Sequence, residues 1–141
     1  SNNLKAIKCP KSVNSSAIDE FLVIFLIAAK AKGISTFKNL GELNNKESPR
    51  LDIAEKFLKM IKVRVERNNN DIKIYGNPNL KISRKLHIKN YLKDHRVFMM
   101  SCIAALSFIE GGNVIIEDKD SINTSFPSFL KLLKKLGAKI N

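Results

Sequence analysis

A chain of 141 residues is long enough for one domain of ordinary size with an apolar core. Its net charge of +12, from 25 Lys and Arg against 13 Asp and Glu, favours anionic partners such as nucleic acid, anionic lipid or phosphorylated metabolites. A hydrophobic share of 44% excludes a disordered chain, and the apolar run from Phe21 to Ala29 is too short to span a bilayer.

Residues 1–16 read as a strand plus a loop, with Pro10 and a Ser-rich stretch. Residues 18–32 are predicted helical and apolar on nearly all sides, the mark of a buried helix, with Gly33 as its C-cap. A short strand over 34–37 leads into a polar loop reaching Lys46. Ser48 suits an N-cap and Pro49 the first position of a helix to about 61, whose inner stripe is Leu51, Ala54, Leu58 and Ile61. A hairpin of 63–66 with 72–75 turns across Asn68-Asn69-Asn70-Asp71, and one more strand is expected near 86–88. Asp94 can cap a helix to about Glu110, closed by Gly111 and Gly112. A strand at 114–117, a loop with Thr124, Ser125, Phe126 and Pro127, a helix over 127–136 and a final strand at 138–140 complete the order.

The order repeats after about 75 residues, and the segment 57–65 echoes 132–140. The expectation is α/β (α+β) architecture in two copies of one folding unit, about 1–90 and 91–141, each with helices packed on a small sheet. Two such units would leave apolar helix faces uncovered. With Ser rather than Met in first place, this suggests a piece of a longer chain, poorly stable and inactive alone.

Cys9 and Cys102 have neither paired nor metal-ligand spacing, which favours a reducing compartment, and no signal peptide is visible. His87 and His95 are the only histidines and lack metal-ligand company, and no Gly-rich phosphate loop is present. The positions that stand out gather charge at helix starts: Asp19 and Glu20, Lys46 to Arg50, and Asp94 to Arg96. A helix start offers free N–H groups and a partial positive charge. Arg50 or Arg96 there suits a carboxylate or phosphate, which guanidinium binds in bidentate fashion. Asp19 and Glu47 beside such cations suit proton transfer. The plainer reading makes Asp94 an N-cap, Asp19 and Glu20 first-turn acids, and Lys46 and Glu47 a solvated pair.

Four strings tip the balance. Ser16-Ala17-Ile18-Asp19-Glu20-Phe21, Lys46-Glu47-Ser48-Pro49-Arg50, Asp94-His95-Arg96, and Thr124-Ser125-Phe126-Pro127 followed by Leu136-Gly137-Ala138 resemble, in order and spacing, motifs of the 3-phosphoshikimate enolpyruvyl transferases. The resemblance covers essentially the whole chain but only about the last third of a family member. It implies repeated βαβαββ units of the enolpyruvyl transferase inverse α/β barrel, here about two units of the C-terminal domain. The implied reaction moves the enolpyruvyl group of phosphoenolpyruvate to the 5-hydroxyl of shikimate 3-phosphate, releasing phosphate through a tetrahedral intermediate, with no metal and no cofactor. By the same resemblance Asp19 and Lys46 contact shikimate 3-phosphate, Glu47 is the main acid/base at the methylene carbon, Arg50 and Arg96 clamp phosphoenolpyruvate, and His95 supports them. The implied partners are these two substrates and a missing N-terminal domain, without nucleic acid or membrane, in a cytoplasmic enzyme monomeric at full length. Pro49, Leu22 and Asn44 depart from the commoner family residues Asp, Pro and Arg, and Thr124 stands where some members have Lys and another class has Thr. Two alternatives stand beside this: the sister transferase acting on UDP-N-acetylglucosamine, and a basic nucleic-acid-binding α/β module, although its strands lack an aromatic platform.

Overall fold

The computed structural model describes residues 3–82, 85–89, 93–108 and 113–141. The chain divides into two compact units, Ser1–Ile82 and Ser83–Asn141. The division comes eight residues before the expected boundary at 90/91, because the strand at 86–88 pairs with one further along the chain.

The first unit opens with an extended stretch that makes parallel bridges, Lys5 to Lys32 and Lys8 to Thr36. A 3-10 turn and the short helix α1 (Asn14–Ala17) follow, then α2 (Phe21–Lys30), β1 (Gly33–Phe37), α3 (Arg50–Met60), β2 (Arg64–Asn68) and β3 (Asp71–Gly76). β3 lies between the other two, antiparallel to both, with Phe37 opposite Ile72 and Asn68 opposite Asp71. Counting the first extended stretch, the order is strand, helix, strand, helix, strand, strand, the expected βαβαββ unit.

The helix expected over 18–32 is shorter at both ends. At its start, the Glu20 N–H donates to the Ala17 carbonyl and closes a turn, which leaves Asp19 outside the helix. At its end, Lys32 exchanges backbone hydrogen bonds with the first strand, donating to Leu4 and accepting from Ala6. Ala31 is therefore extended, and Gly33 is not a C-cap but the first residue of β1, at φ +109. The apolar face of α2 buries Phe21, Leu22, Phe25 and Leu26, and Phe21 and Phe25 meet Phe37 at centroid separations of 5.1–6.0 Å. Ile27 is half-exposed, so the helix is not buried all round. From α3, the predicted stripe of Leu51, Ala54, Leu58 and Ile61 is buried, together with Phe57. The helix begins at Arg50, one residue later than expected, with Pro49 at the N-cap.

In the second unit, β4 (Leu86–Ile88) runs parallel to β5 (Val114–Ile116), joined through α4 (His95–Phe108). A 3-10 helix, Lys119–Thr124, and the short α5 (Phe129–Lys135) follow. The core gathers Phe98, Cys102, Ile122, Phe129 and Leu133. The expected closure of α4 by Glu110, Gly111 and Gly112 lies outside the described residues. The helix expected over 127–136 is trimmed because the N–H groups of Gly137 and Ala138 turn back onto the carbonyls of Lys134 and Leu133. The final strand at 138–140 does not form. Strand structure needs a hydrogen-bonded partner, and this stretch has none among the described residues, although Ala138 and Ile140 rest on the core.

A Cβ built on Gly76 would stand 2.0 Å from the Ala31 carbonyl oxygen and 2.5 Å from that of Ala28. Gly76→Ala is expected to cost about 3 kcal/mol or more in urea unfolding, because backbone must move. Gly137, at φ +98 with open space around it, serves as the comparison, and its Ala variant is expected to cost about 1 kcal/mol. Burial pushes the Cys102 thiol up to about 11, while Cys9 is raised only in a partly exposed setting. The thiolate is the reactive form. Iodoacetamide at pH 8 is therefore expected to label Cys9 well before Cys102, as read by mass spectrometry over time.

Candidate functional site

The charged positions fall into one group in each unit. In the first, Asp19 stands on the turn between α1 and α2, Lys46 and Glu47 on the bends that lead into α3, and Arg50 in the first turn of α3. The Arg50 side chain is 2% exposed, whereas Asp19 and Glu47 are about half-exposed. Its Nη1 donates to Asp19 Oδ1 at 3.0 Å, and its Nη2 donates to Glu47 Oε2. Taking a guanidinium out of water costs several kcal/mol unless carboxylates meet it. The two carboxylates are thus drawn to the rim of the buried cation from different segments. Lys46 Nζ lies 3.3 Å from Glu42 Oε1, so its head group engages Glu42.

The start of α3 is fixed by a residue outside the predicted set. Asn44 Oδ1 accepts the N–H groups of Leu51 at 3.0 Å and Asp52 at 3.2 Å, while its Nδ2 donates to Asp52 Oδ1. This is the work of an N-cap side chain, done from seven residues upstream of Leu51. Capping patterns are read from neighbours at the helix start, so the sequence showed Asn44 only as a departure from the family string.

In the second unit, Asp94 is 1% exposed, and its Oδ1 accepts the N–H groups of Arg96 at 2.9 Å and Val97 at 3.4 Å. Asp94 is therefore an N-cap, as its pattern alone suggested. His95 and Arg96 open the fourteen-residue α4 and are partly exposed, where the positive end of the helix dipole favours an anion. Among the described residues no three His, Cys, Asp or Glu side chains gather as metal ligands, and no helix is long and apolar enough to cross a membrane.

Chemically, the first group is two half-exposed carboxylates held on one buried cation. The second is a cation beside a helix start.

The sequence model of the family described as EPSP synthase (3-phosphoshikimate 1-carboxyvinyltransferase) matches residues 4–133. The 3-phosphoshikimate 1-carboxyvinyltransferase of Zymomonas mobilis is 39% identical over 140 residues, covering 97% of this chain and 30% of the relative. That of Bacillus thuringiensis is 36% identical over 135 residues, covering 96% of this chain and 30% of the relative. The solved EPSP synthase of Acinetobacter baumannii superposes with a TM-score of 0.82 at 29% identity, over 99% of this chain and 32% of that one. An enolpyruvyl transferase from Streptomyces tendae, at 17% identity and a TM-score of 0.61, shares the fold over 87% of this chain and 26% of its own length. The chain spans about 30% of the length of the relatives it matches. Its match across nearly all described residues, on a backbone shared with a solved member, makes this chain a member of the EPSP synthase family.

Proposed function

We propose that residues 1–141 form the C-terminal portion of a 3-phosphoshikimate 1-carboxyvinyltransferase and carry its proton-transfer residues. The carrying observation is the gathering of Asp19 and Glu47 on the buried Arg50, in a chain of this family.

In this reading Glu47 gives a proton to the methylene carbon of phosphoenolpyruvate. The 5-hydroxyl oxygen of shikimate 3-phosphate forms a bond to C2, and Asp19 takes the hydroxyl proton. Collapse of the tetrahedral intermediate returns a proton from the new methyl group to Glu47 and breaks the bond between C2 and the phosphate oxygen, and the proton held by Asp19 passes to the departing phosphate. Lys46 contacts shikimate 3-phosphate. Arg50 and Arg96 take the carboxylate and phosphate of phosphoenolpyruvate, and His95 supports them.

The charges divide this labour. Around Arg50, two cations (Arg50 and Lys46) face three carboxylates (Asp19, Glu42 and Glu47). This group moves protons better than it attracts a substrate of several negative charges. Beyond Arg50, anion capture falls to Arg96 at the start of α4 and to cations on the rest of the enzyme, placed where charge develops. The missing N-terminal domain is the partner this reading requires, and the 141 residues alone are expected to release no phosphate.

Joining this chain in place of the matching segment of the Zymomonas mobilis relative gives the test. The chimera is expected to turn over both substrates. Glu47→Gln in it should lower kcat about 10²–10⁴-fold with a smaller change in KM, the mark of a lost general acid/base. Arg96→Ala should act mainly by raising KM for phosphoenolpyruvate. A chimera without turnover, or one in which Glu47→Gln keeps full kcat, contradicts the proposal.

A further inference from the structure

Pro49 stands at the N-cap of α3 with no acceptor on its side chain, so the helix draws its cap from elsewhere. The first four N–H groups of an α-helix have no partner within it. In α3 all four are accounted for. The Arg50 N–H donates to the Ser48 carbonyl at 2.8 Å, and the Ile53 N–H to the Pro49 carbonyl at 3.0 Å. Those of Leu51 and Asp52 donate to Asn44 Oδ1 at 3.0 and 3.2 Å. With φ −71 and ψ 76, Pro49 is the centre of an inverse γ-turn, which proline's fixed φ favours and which takes up the Arg50 donor. The donors of Leu51 and Asp52 are the two that an N-cap side chain serves.

Two of the departures from the commoner family residues meet at this point. Asp at position 49 would carry a cap acceptor on the N-cap itself. Arg at position 44 would bring donors and no acceptor. In this chain the acceptor stands at 44 and is missing at 49.

The arrangement pins a loop at both ends. Asn44 sits on the 3-10 turn Gly41–Asn45, anchored by the fully buried Leu43 and by the Leu40 N–H, which donates to the Asn70 carbonyl. The bonds to Leu51 and Asp52 join that turn to α3. Asn44 Nδ2 also donates to Asp52 Oδ1 at 3.0 Å, and Asp52 Oδ1 lies 3.1 Å from Nη1 of Arg67 on β2. Lys46, Glu47 and Arg50 all lie inside the pinned loop. Arg50 is the first residue of α3, where fraying begins, and Glu47 is hydrogen-bonded to it. A cap changes such a fraying equilibrium by a factor of about five.

We propose that Asn44 is a positioning residue for the enolpyruvyl transfer: by supplying the cap acceptor that Pro49 lacks, it holds Arg50 and, through it, Glu47 in place for proton transfer. The proposal rests on the reading of Glu47 as the general acid/base. It makes positions 44 and 49 interdependent, since an acceptor at either one caps the helix.

The test is made in the chimera with the Zymomonas mobilis relative. Misplacing a catalytic group by about 1 Å can cost about 10²-fold, and loss of the cap displaces Glu47 for part of the time, so Asn44→Arg is expected to lower kcat about tenfold. Adding Pro49→Asp returns an acceptor to the N-cap and should bring kcat to within about threefold of the parent. In a Glu47→Gln background, Asn44→Arg should cost less than about twofold further, because its effect passes through Glu47. A role in stability alone would cost the same factor in both backgrounds. Amide exchange of Leu51 and Asp52 should be about fivefold faster in Asn44→Arg and return to the parent rate when Pro49→Asp is added. Should Asn44→Arg fail to fold, Asn44→Ala takes its place in each comparison. Full kcat in the Asn44 variant overturns the proposal. So does a double variant whose amides are protected again while kcat stays low, and so does an equal loss in the Glu47→Gln background. Full kcat in Glu47→Gln refutes the acid/base reading itself, whereas a large loss there with none at Asn44 refutes the positioning alone.

Discussion

A guanidinium held out of water is the constraint around which the first unit is arranged. Arg50 is among its largest fully buried side chains. A charge in that position is tolerable only with carboxylates at hydrogen-bonding distance. Asp19 and Glu47 meet it from two separate segments. This one requirement ties the turn before α2 and the run before α3 to the start of α3. Both carboxylates keep about half their surface in water, so the cation is buried while its counterions stay open to solvent. Asn44 caps α3 and so fixes the first turn from which Arg50 projects.

The sheet supplies the frame. Ending α2 at Lys30 frees Ala31 and Lys32 to join the opening strand, and that places β1 for pairing with β3. The close approach at Gly76, directly opposite Gly33, leaves no space for a side chain, so the crossing of β3 over the end of α2 depends on that glycine. On the outer face, Arg64 lies over the Tyr75 ring and the Tyr75 hydroxyl donates to Glu66. That contact lowers the Glu66 carboxyl and raises the Tyr75 hydroxyl from their ordinary values. Both groups are exposed, so the effect is local to the hairpin.

Much of this was legible in the sequence because local chemistry decided it. The stripe of Leu51, Ala54, Leu58 and Ile61, the hairpin through Asn69 and Asn70, and the cap at Asp94 all follow from periodicity or from the side chain nearest the backbone it serves. The misplaced ends follow from distant partners. Gly33 looks like a helix terminator until the strand at Leu4 to Ala6 claims Lys32. The stretch 138–140 reads as a strand from its echo of 63–65, yet pairing is a property of two segments, and the second is absent among the described residues. At the site, the strings marked Asp19, Glu47 and Arg50 as important, but no spacing rule joins residue 19 to residue 50. Their contact, and the capping by Asn44, are results of the fold.

If Arg50 organises the group as described, its coupling to Asp19 must be measurable in the folded chain. Urea unfolding of Asp19→Asn, Arg50→Met and the double variant closes a thermodynamic cycle that isolates the pair from packing changes common to both backgrounds. A coupling energy of about 1 kcal/mol is predicted, reduced from that of a fully buried pair because Asp19 is half in water. Single-variant effects that add within about 0.3 kcal/mol would mean the contact contributes nothing, and would contradict the account at its centre.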